Sequence, residues 1–305
     1  MEPVIIEAAI SASGSGRSPA APTTLDALTQ DICACIDAGA AIVHNHLEDF
    51  SLSGSDAARR YGMVWRPVLE RHPGAILIPT LAAPVAGNDL GGYAHLAETV
   101  AQGASLAPLD PGSVNMTGAL PDGQPDPRNS AVFANDYATL DRALDHFAAH
   151  AIPASISIWD PSFLRAAMAY ERAGRLVAGS FIKLFFGGTH SYLDGRPGIS
   201  FGLPPTVAAL DVYLQMMAGS RLPWAAALLG DDILAERDFL SAVVSRGGHL
   251  RVGLEDYAGR GTPTNVELVA RAAEIVSSLG RPPASMAQAR DILRLGPPRV
   301  RQERQ

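Results

Sequence analysis

Residues 41–46 read Ala41-Ile42-Val43-His44-Asn45-His46, and residues 249–256 read His249-Leu250-Arg251-Val252-Gly253-Leu254-Glu255-Asp256. Each is a short apolar run ending in groups that can bind a metal or move a proton. Side chains two apart on a strand share a face, so Ile42, His44 and His46 point one way and Val43 the other. The same period puts Arg251, Gly253 and Glu255 on one face of the second run. The two sets can serve one site only if their strands converge.

The rest of the chain says how they converge. Strand-like runs fall at 4–9, 41–46, 75–80, 113–116, 154–159, 180–186, 224–229 and 249–254. Helical patterns lie between and after them, at 24–38, 55–71, 92–103, 131–149, 161–177, 205–219, 231–245 and 264–279. Thr24, Asp160-Pro161 and Pro204-Pro205 mark helix starts, and Gly39, Gly174 and Gly280 mark stops. Strands alternating with helices imply a parallel sheet. Eight units without a composition break predict a single (β/α)8 TIM barrel over residues 1–305 with a C-terminal extension. Residues 296–305 are expected to form a surface or subunit-contact tail. In a closed barrel the second and eighth strands both flank the first, and chemistry gathers at the C-terminal strand ends. His44, His46 and Glu255 then meet at one centre. Two histidines and one carboxylate with an open position suit a catalytic Zn²⁺, and other divalent metals fit the same donors.

Composition narrows the partners. The 24 basic residues against 31 acidic ones give a net charge of −7, which argues against nucleic acid and anionic membranes. No basic-led apolar leader opens the sequence and no long apolar run interrupts it, so a cytoplasmic location is expected. Cys33 and Cys35 are two apart in a helical stretch and point to different sides, which disfavours a bridge. Lys183 is the sole lysine and lies in an apolar strand. It is a candidate Schiff-base nucleophile, a pocket cation, or a structural partner. Glu7 is mid-strand and must be paired or neutral if it faces the barrel interior. It either partners Arg251 or faces a helix.

The same residues carry a family resemblance. The opening Glu2-Pro3-Val4-Ile5-Ile6-Glu7-Ala8-Ala9-Ile10-Ser11 and Ala38-Gly39-Ala40-Ala41 before His44-x-His46 resemble the β-keto acid cleavage enzymes. So do the string 247–256, Asn265-x-x-Leu268-Val269, Gly280-Arg281-Pro282 and Ala289-Arg290-Asp291-Ile292-Leu293. The resemblance implies a zinc barrel enzyme that condenses a 3-oxo acid with acetyl-CoA, giving acetoacetate and a new acyl-CoA. It implies a catalytic Arg251–Asp256 pair beside the metal, and a homo-oligomer, dimer or tetramer. It implies substrate-carboxylate contacts at Thr80, Ser113 and Asn115.

Several positions depart from the family pattern. Gly14 stands where the family has a Glu that binds a substrate amine, and Glu48 near a family Arg. Ser157 replaces a strand-five Glu thought to assist catalysis, and a serine cannot act as base without an activator. These changes predict a 3-oxo acid with a neutral or anionic tail unless Glu48 supplies the missing negative charge. A barrel that binds zinc without turnover is the non-catalytic alternative.

Overall fold

The computed structural model describes residues 2–10, 18–49, 51–82, 88–191, 195–198 and 201–297. Gly14 and residues 298–305 of the expected tail lie outside them. The chain runs β1 (Ile6–Ile10), α1 (Leu25–Asp37), β2 (Ile42–Asn45), α2 (Gly54–Arg71), β3 (Ile76–Ile78), α3 (Leu96–Ala101) and β4 (Ala107–Leu109). A hairpin follows, β5 (Val114–Ala119) with β6 (Pro125–Phe133). Then come α4 (Tyr137–Ala149), β7 (Ala154–Ile158), α5 (Pro161–Arg172), β8 (Phe181–Gly187) and α6 (Val207–Met216). The chain continues with β9 (Trp224–Leu229), α7 (Arg237–Ser245), β10 (His249–Val252), α8 (Asn265–Ser278) and α9 (Met286–Ile292).

Eight strands pair in parallel in the order β3-β2-β1-β10-β9-β8-β7-β4. The seam between β3 and β4 is drawn together by a Leu77–Ala104 bridge and by Ser105 N–H donating to Leu77 O at 2.9 Å. The result is a nearly closed α/β barrel. Among the described residues no helix is long and apolar enough to cross a membrane.

One strand is not where the sequence places it. The fourth barrel strand is β4 at 107–109, whereas 113–116 falls in the antiparallel hairpin outside the barrel sheet. Pro108 sits in the middle of β4 and has no N–H to give. It is tolerated because β4 has a full ladder only with β7. A three-residue strand containing proline lacks the apolar signature that marks the others. The helix expected from 131 therefore begins at Tyr137, where the Asp136 side chain caps it by accepting from Thr139 N–H.

Packing divides the barrel along its axis. Ile5, Ile42, Ile76, Leu106, Phe181 and Ala225 fill the N-terminal end, and Ala289 and Leu293, in and just after α9, close it from below. Phe185, Ala227 and Leu229 pack with Met116 and Phe201 towards the opposite end. Between these apolar groups lie the buried ionisable residues.

Two histidines outside those groups report on acid stability. Burial holds His95 and His249 neutral and pushes their pKa values down to about 4 and about 3, from an ordinary 6.5. Between pH 6.5 and about 4 the unfolded chain takes protons that the folded chain refuses. Stability is therefore complete above pH 6.5 and falls on acidification, by about 1.4 kcal/mol per pH unit for each fully titrating histidine. Burial raises Asp110 to about 6, which offsets one such group over part of that range. Urea midpoints are expected to drop from pH 7 to pH 5.5. A midpoint that rises over this range would contradict the assignment of neutral buried imidazoles.

Candidate active site

The histidine pair is set by the residue between them. Asn45 faces away from the barrel axis, where Trp65 Nε1 on α2 donates to its Oδ1 at 2.8 Å. Tyr61, one turn earlier on α2, donates its hydroxyl to Asn45 O at 3.1 Å, and Asn45 Nδ2 donates to His46 O at 3.0 Å. Alternation then turns His44 and His46 inward. The Tyr61 oxygen also accepts from Thr80 N–H at 2.9 Å, so one helix ties the ends of β2 and β3 together.

Glu255 reaches the pair because of a glycine. Gly253 follows β10 with φ +150°, and a Cβ there would lie 2.2 Å from Ala9 O. Only glycine lets the chain lie this close to β1. Glu255 N–H then donates to Ala9 O at 3.3 Å. His44 Nε2 lies 3.3 Å from Glu255 Oε2, and His46 Nε2 lies 3.3 Å from Oε1.

These residues fit a divalent metal. One ligand atom from each lies within 4.8 Å of the others. A separation of roughly 3.3 Å is the edge of a tetrahedron with bonds of about 2.0 Å, as zinc makes to nitrogen and oxygen. Burial pushes the His44 pKa down to about 4, so its lone pair is free at neutral pH. Burial alone would raise Glu255, but Arg251 and the two histidines outweigh it and hold its carboxylate well below the ordinary range. Glu255 Oε2 has no hydrogen-bond partner, as expected of an atom kept for a cation.

Below the triad lies a buried ionic network. Arg251 donates through Nη1 to Glu7 Oε1 at 2.9 Å, and through Nε and Nη2 to the two oxygens of Asp256 at 2.8 and 3.0 Å. Its Nη2 is also 2.8 Å from Glu255 Oε1. Lys183 Nζ donates to Glu7 Oε1 at 3.1 Å. Glu7 thus faces the interior and serves both cations, which outweigh its burial and hold its pKa low. The partner of Lys183 is this carboxylate. For Asp256, burial outweighs Arg251 and raises the carboxyl.

The structure brings together His44, His46, Glu255, Arg251 and Asp256. Thr80 stands at the end of the neighbouring strand, its backbone held by Tyr61 and His95. Glu48 is paired with Arg60 on α2, so its charge is already answered. Ser113 exchanges hydrogen bonds with the Asn135 backbone, which pins the base of the hairpin, and Asn115 is exposed on β5. Gly14 lies outside the described residues. The sequence reading missed Asn45, Tyr61 and Trp65, although aromatic residues at i and i+4 of an amphipathic helix are a signal for one packed face. It also missed Asp110, which follows the unrecognised fourth barrel strand.

Comparison with known proteins gives the family and the fold. Residues 3–295 match the model of the beta-keto acid cleavage enzyme family, and the chain belongs to that family. It is 27% identical to the 3-oxoadipate:acetyl-CoA acetyltransferase of Cupriavidus necator over 96% of this chain and 95% of the relative. It is 23% identical to the 3-keto-5-aminohexanoate cleavage enzyme of Acetoanaerobium sticklandii, over 96% and 98% of the two chains. The fold resembles ObcA, solved as a binary complex with oxaloacetate, with a TM-score of 0.67, 19% identity and coverage of 93% of this chain and 69% of that one.

Gly253→Ala is expected to lose bound divalent metal, because the new methyl displaces the segment that carries Glu255. Metal content of the purified variant by elemental analysis checks this, and wild-type stoichiometry would contradict it.

Proposed function

We propose that this chain is an acyltransferase that converts a 3-oxo acid and acetyl-CoA into acetoacetate and a new acyl-CoA, with zinc held by His44, His46 and Glu255. The His44–His46–Glu255 triad beside Arg251, in a chain that matches the family along nearly its whole length, carries this reading. A divalent metal bound there supplies a Lewis-acid centre for the oxygens of a 3-oxo acid.

The chain's own residues supply the rest. Arg251 cannot act as a base at ordinary pH, since its neighbouring carboxylates raise its already high pKa further. It is a fixed cation that orients a carboxylate and stabilises an oxyanion. Glu7 and Asp256 hold three of its N–H groups, so it meets substrate without reorganising. In the reaction the carbon between keto group and carboxylate loses a proton and attacks the thioester carbonyl. The released thiolate then cleaves the adduct. A cleft of ≈ 390 Å³ at the end of β8, lined by Gly187, Gly188, Thr189, Phe201, Gly202 and Pro204 among others, is open enough to admit part of coenzyme A.

The tail of the 3-oxo acid is neutral or anionic in this reading. Glu48 spends its charge on Arg60, and Met116, Phe185 and Phe201 give the barrel mouth an apolar wall. A panel of 3-oxo acids assayed with acetyl-CoA is expected to favour neutral or anionic tails by at least tenfold in kcat/KM. Preference for amino-bearing acids would overturn the tail assignment.

Two variants separate metal from cation. His44→Ala is expected to lose metal and acetoacetate formation together. Arg251→Lys is expected to keep metal and lose at least about 100-fold in kcat, the scale of a removed oxyanion donor. Coupled detection of acetoacetate with metal analysis reads both, and full turnover in either variant contradicts the role given to that residue.

A further inference from the structure

The reaction takes one proton from the substrate and returns one to acetoacetate, so the site needs a carboxyl free to carry it. Most of its carboxyls are committed. Glu7 is fully buried against Lys183 and Arg251, both oxygens of Asp256 accept from Arg251, and both oxygens of Glu255 face the histidines. Asp110 differs. It follows β4 at the C-terminal end of the barrel, two strand periods beyond the inward-facing Leu106. Its carboxyl is buried, with 7% exposure of the residue, and Asp110 stands beside Ser157 of β7, two residues beyond the Pro108–Ser155 pair in the parallel register, within reach of the serine hydroxyl. Its backbone is fixed: its N–H approaches Tyr93 Oη at 3.4 Å, and its C=O accepts from Asn135 Nδ2 at 3.0 Å and Gly112 N–H at 2.9 Å.

We propose that Asp110 is the catalytic acid–base of this enzyme and that Ser157 is its positioning residue. The assignment rests on the acetoacetate-forming reading above. Asp110 takes a proton from the carbon between the keto and carboxylate groups. The resulting carbanion bonds to the acetyl carbon and expels the thiolate of coenzyme A. That thiolate adds to the original keto carbon, the bond to the central carbon breaks, and its electron pair accepts the proton back from Asp110. Acyl-CoA and acetoacetate leave with atoms and charge balanced. The serine that stands in place of a strand-five carboxylate thus has an activator in reverse: it orients the carboxyl supplied by the neighbouring strand.

The surroundings suit a proton carrier. Burial raises Asp110 to about 6, while the Ser157 hydrogen bond, Lys183 on β8 and Arg251 on β10 favour its ionised form and Glu255 opposes it. The Tyr93 hydroxyl faces its backbone N–H. A base with a pKa near the working pH gives both useful ionisation and useful basicity.

The test reads exchange of the 3-oxo acid's C2 hydrogens with D₂O by NMR, without acetyl-CoA, beside acetoacetate formation with it. Asp110→Asn is expected to lower both rates by about 100-fold or more with metal content retained. Asp110→Asn within threefold of wild type on exchange would overturn the proposal. Wild type is expected to lose kcat/KM below about pH 6. Ser157→Ala, which removes the bond favouring the ionised form, should move that acid limb to higher pH. An unmoved limb in folded Ser157→Ala also overturns the proposal, and this arm decides the matter if Asp110→Asn does not fold. Failure of wild type to form acetoacetate would strike the parent reading instead, since the Asp110 assignment is judged on a wild type that turns over.

Discussion

The barrel interior is organised around Arg251. A carboxylate as deep as Glu7 survives without water only if cations answer it, and Arg251 and Lys183 do so at 2.9 and 3.1 Å. The same guanidinium holds both oxygens of Asp256 and touches Glu255, so one side chain fixes three carboxylates. Truncating it would leave buried charges unpaired, which costs about 3–5 kcal/mol in comparable sites. Well-packed apolar residues would often be as stable in its place. The network is therefore poorly explained by stability and well explained by the need for a rigid cation beside the histidines.

β1 acts as the ruler for this arrangement. Its Glu7 is in register with Ile42 on one side and Arg251 on the other, and Ala9 is in register with His44. Small residues occupy the crossing point: Ala9 on β1 and Gly253 against its carbonyl. Together they let the segment after β10 pass over the end of β1, so that Glu255 reaches side chains of a strand two positions away. On the far side of β2, Asn45 converts the packing of α2 into the orientation of two imidazoles.

How much of this was legible in the sequence follows from local physics. The period of two placed His44, His46, Arg251 and Glu255 correctly because those strands are apolar runs with their functional groups at one end. Seven barrel strands were readable for the same reason. The fourth was not, because Pro108 and only three strand residues leave no pattern, whereas the neighbouring hairpin has one. Asp110, just past the fourth strand, goes unmarked in a stretch rich in Pro, Gly and Asp. The pairing of Glu7 with Arg251 is one of the two alternatives the sequence leaves open, whereas Lys183 is a partner that only the closed sheet brings near. The carboxylate contacts at Ser113 and Asn115 are implied by the resemblance alone; the structure puts both at the hairpin, where Ser113 hydrogen-bonds the Asn135 backbone.

The charge balance of the interior bears on what enters it. Lys183 and Arg251 face Glu7, Glu255 and Asp256, so the chamber is one positive charge short even with Asp110 protonated. A lone substrate carboxylate entering such a chamber meets like charge in a medium that screens it poorly. A divalent ion bound by the triad would make the chamber neutral while Asp110 is ionised and leave one positive charge in excess once Asp110 holds the substrate's proton, which the substrate carboxylate then satisfies. The acidic surface of the whole chain tells nothing of this, since exposed charges are solvated and screened. What suits a 3-oxo acid is a local account: a His44 imidazole that burial keeps neutral, a Glu255 carboxylate held ionised, and a guanidinium fixed by the carboxylates around it.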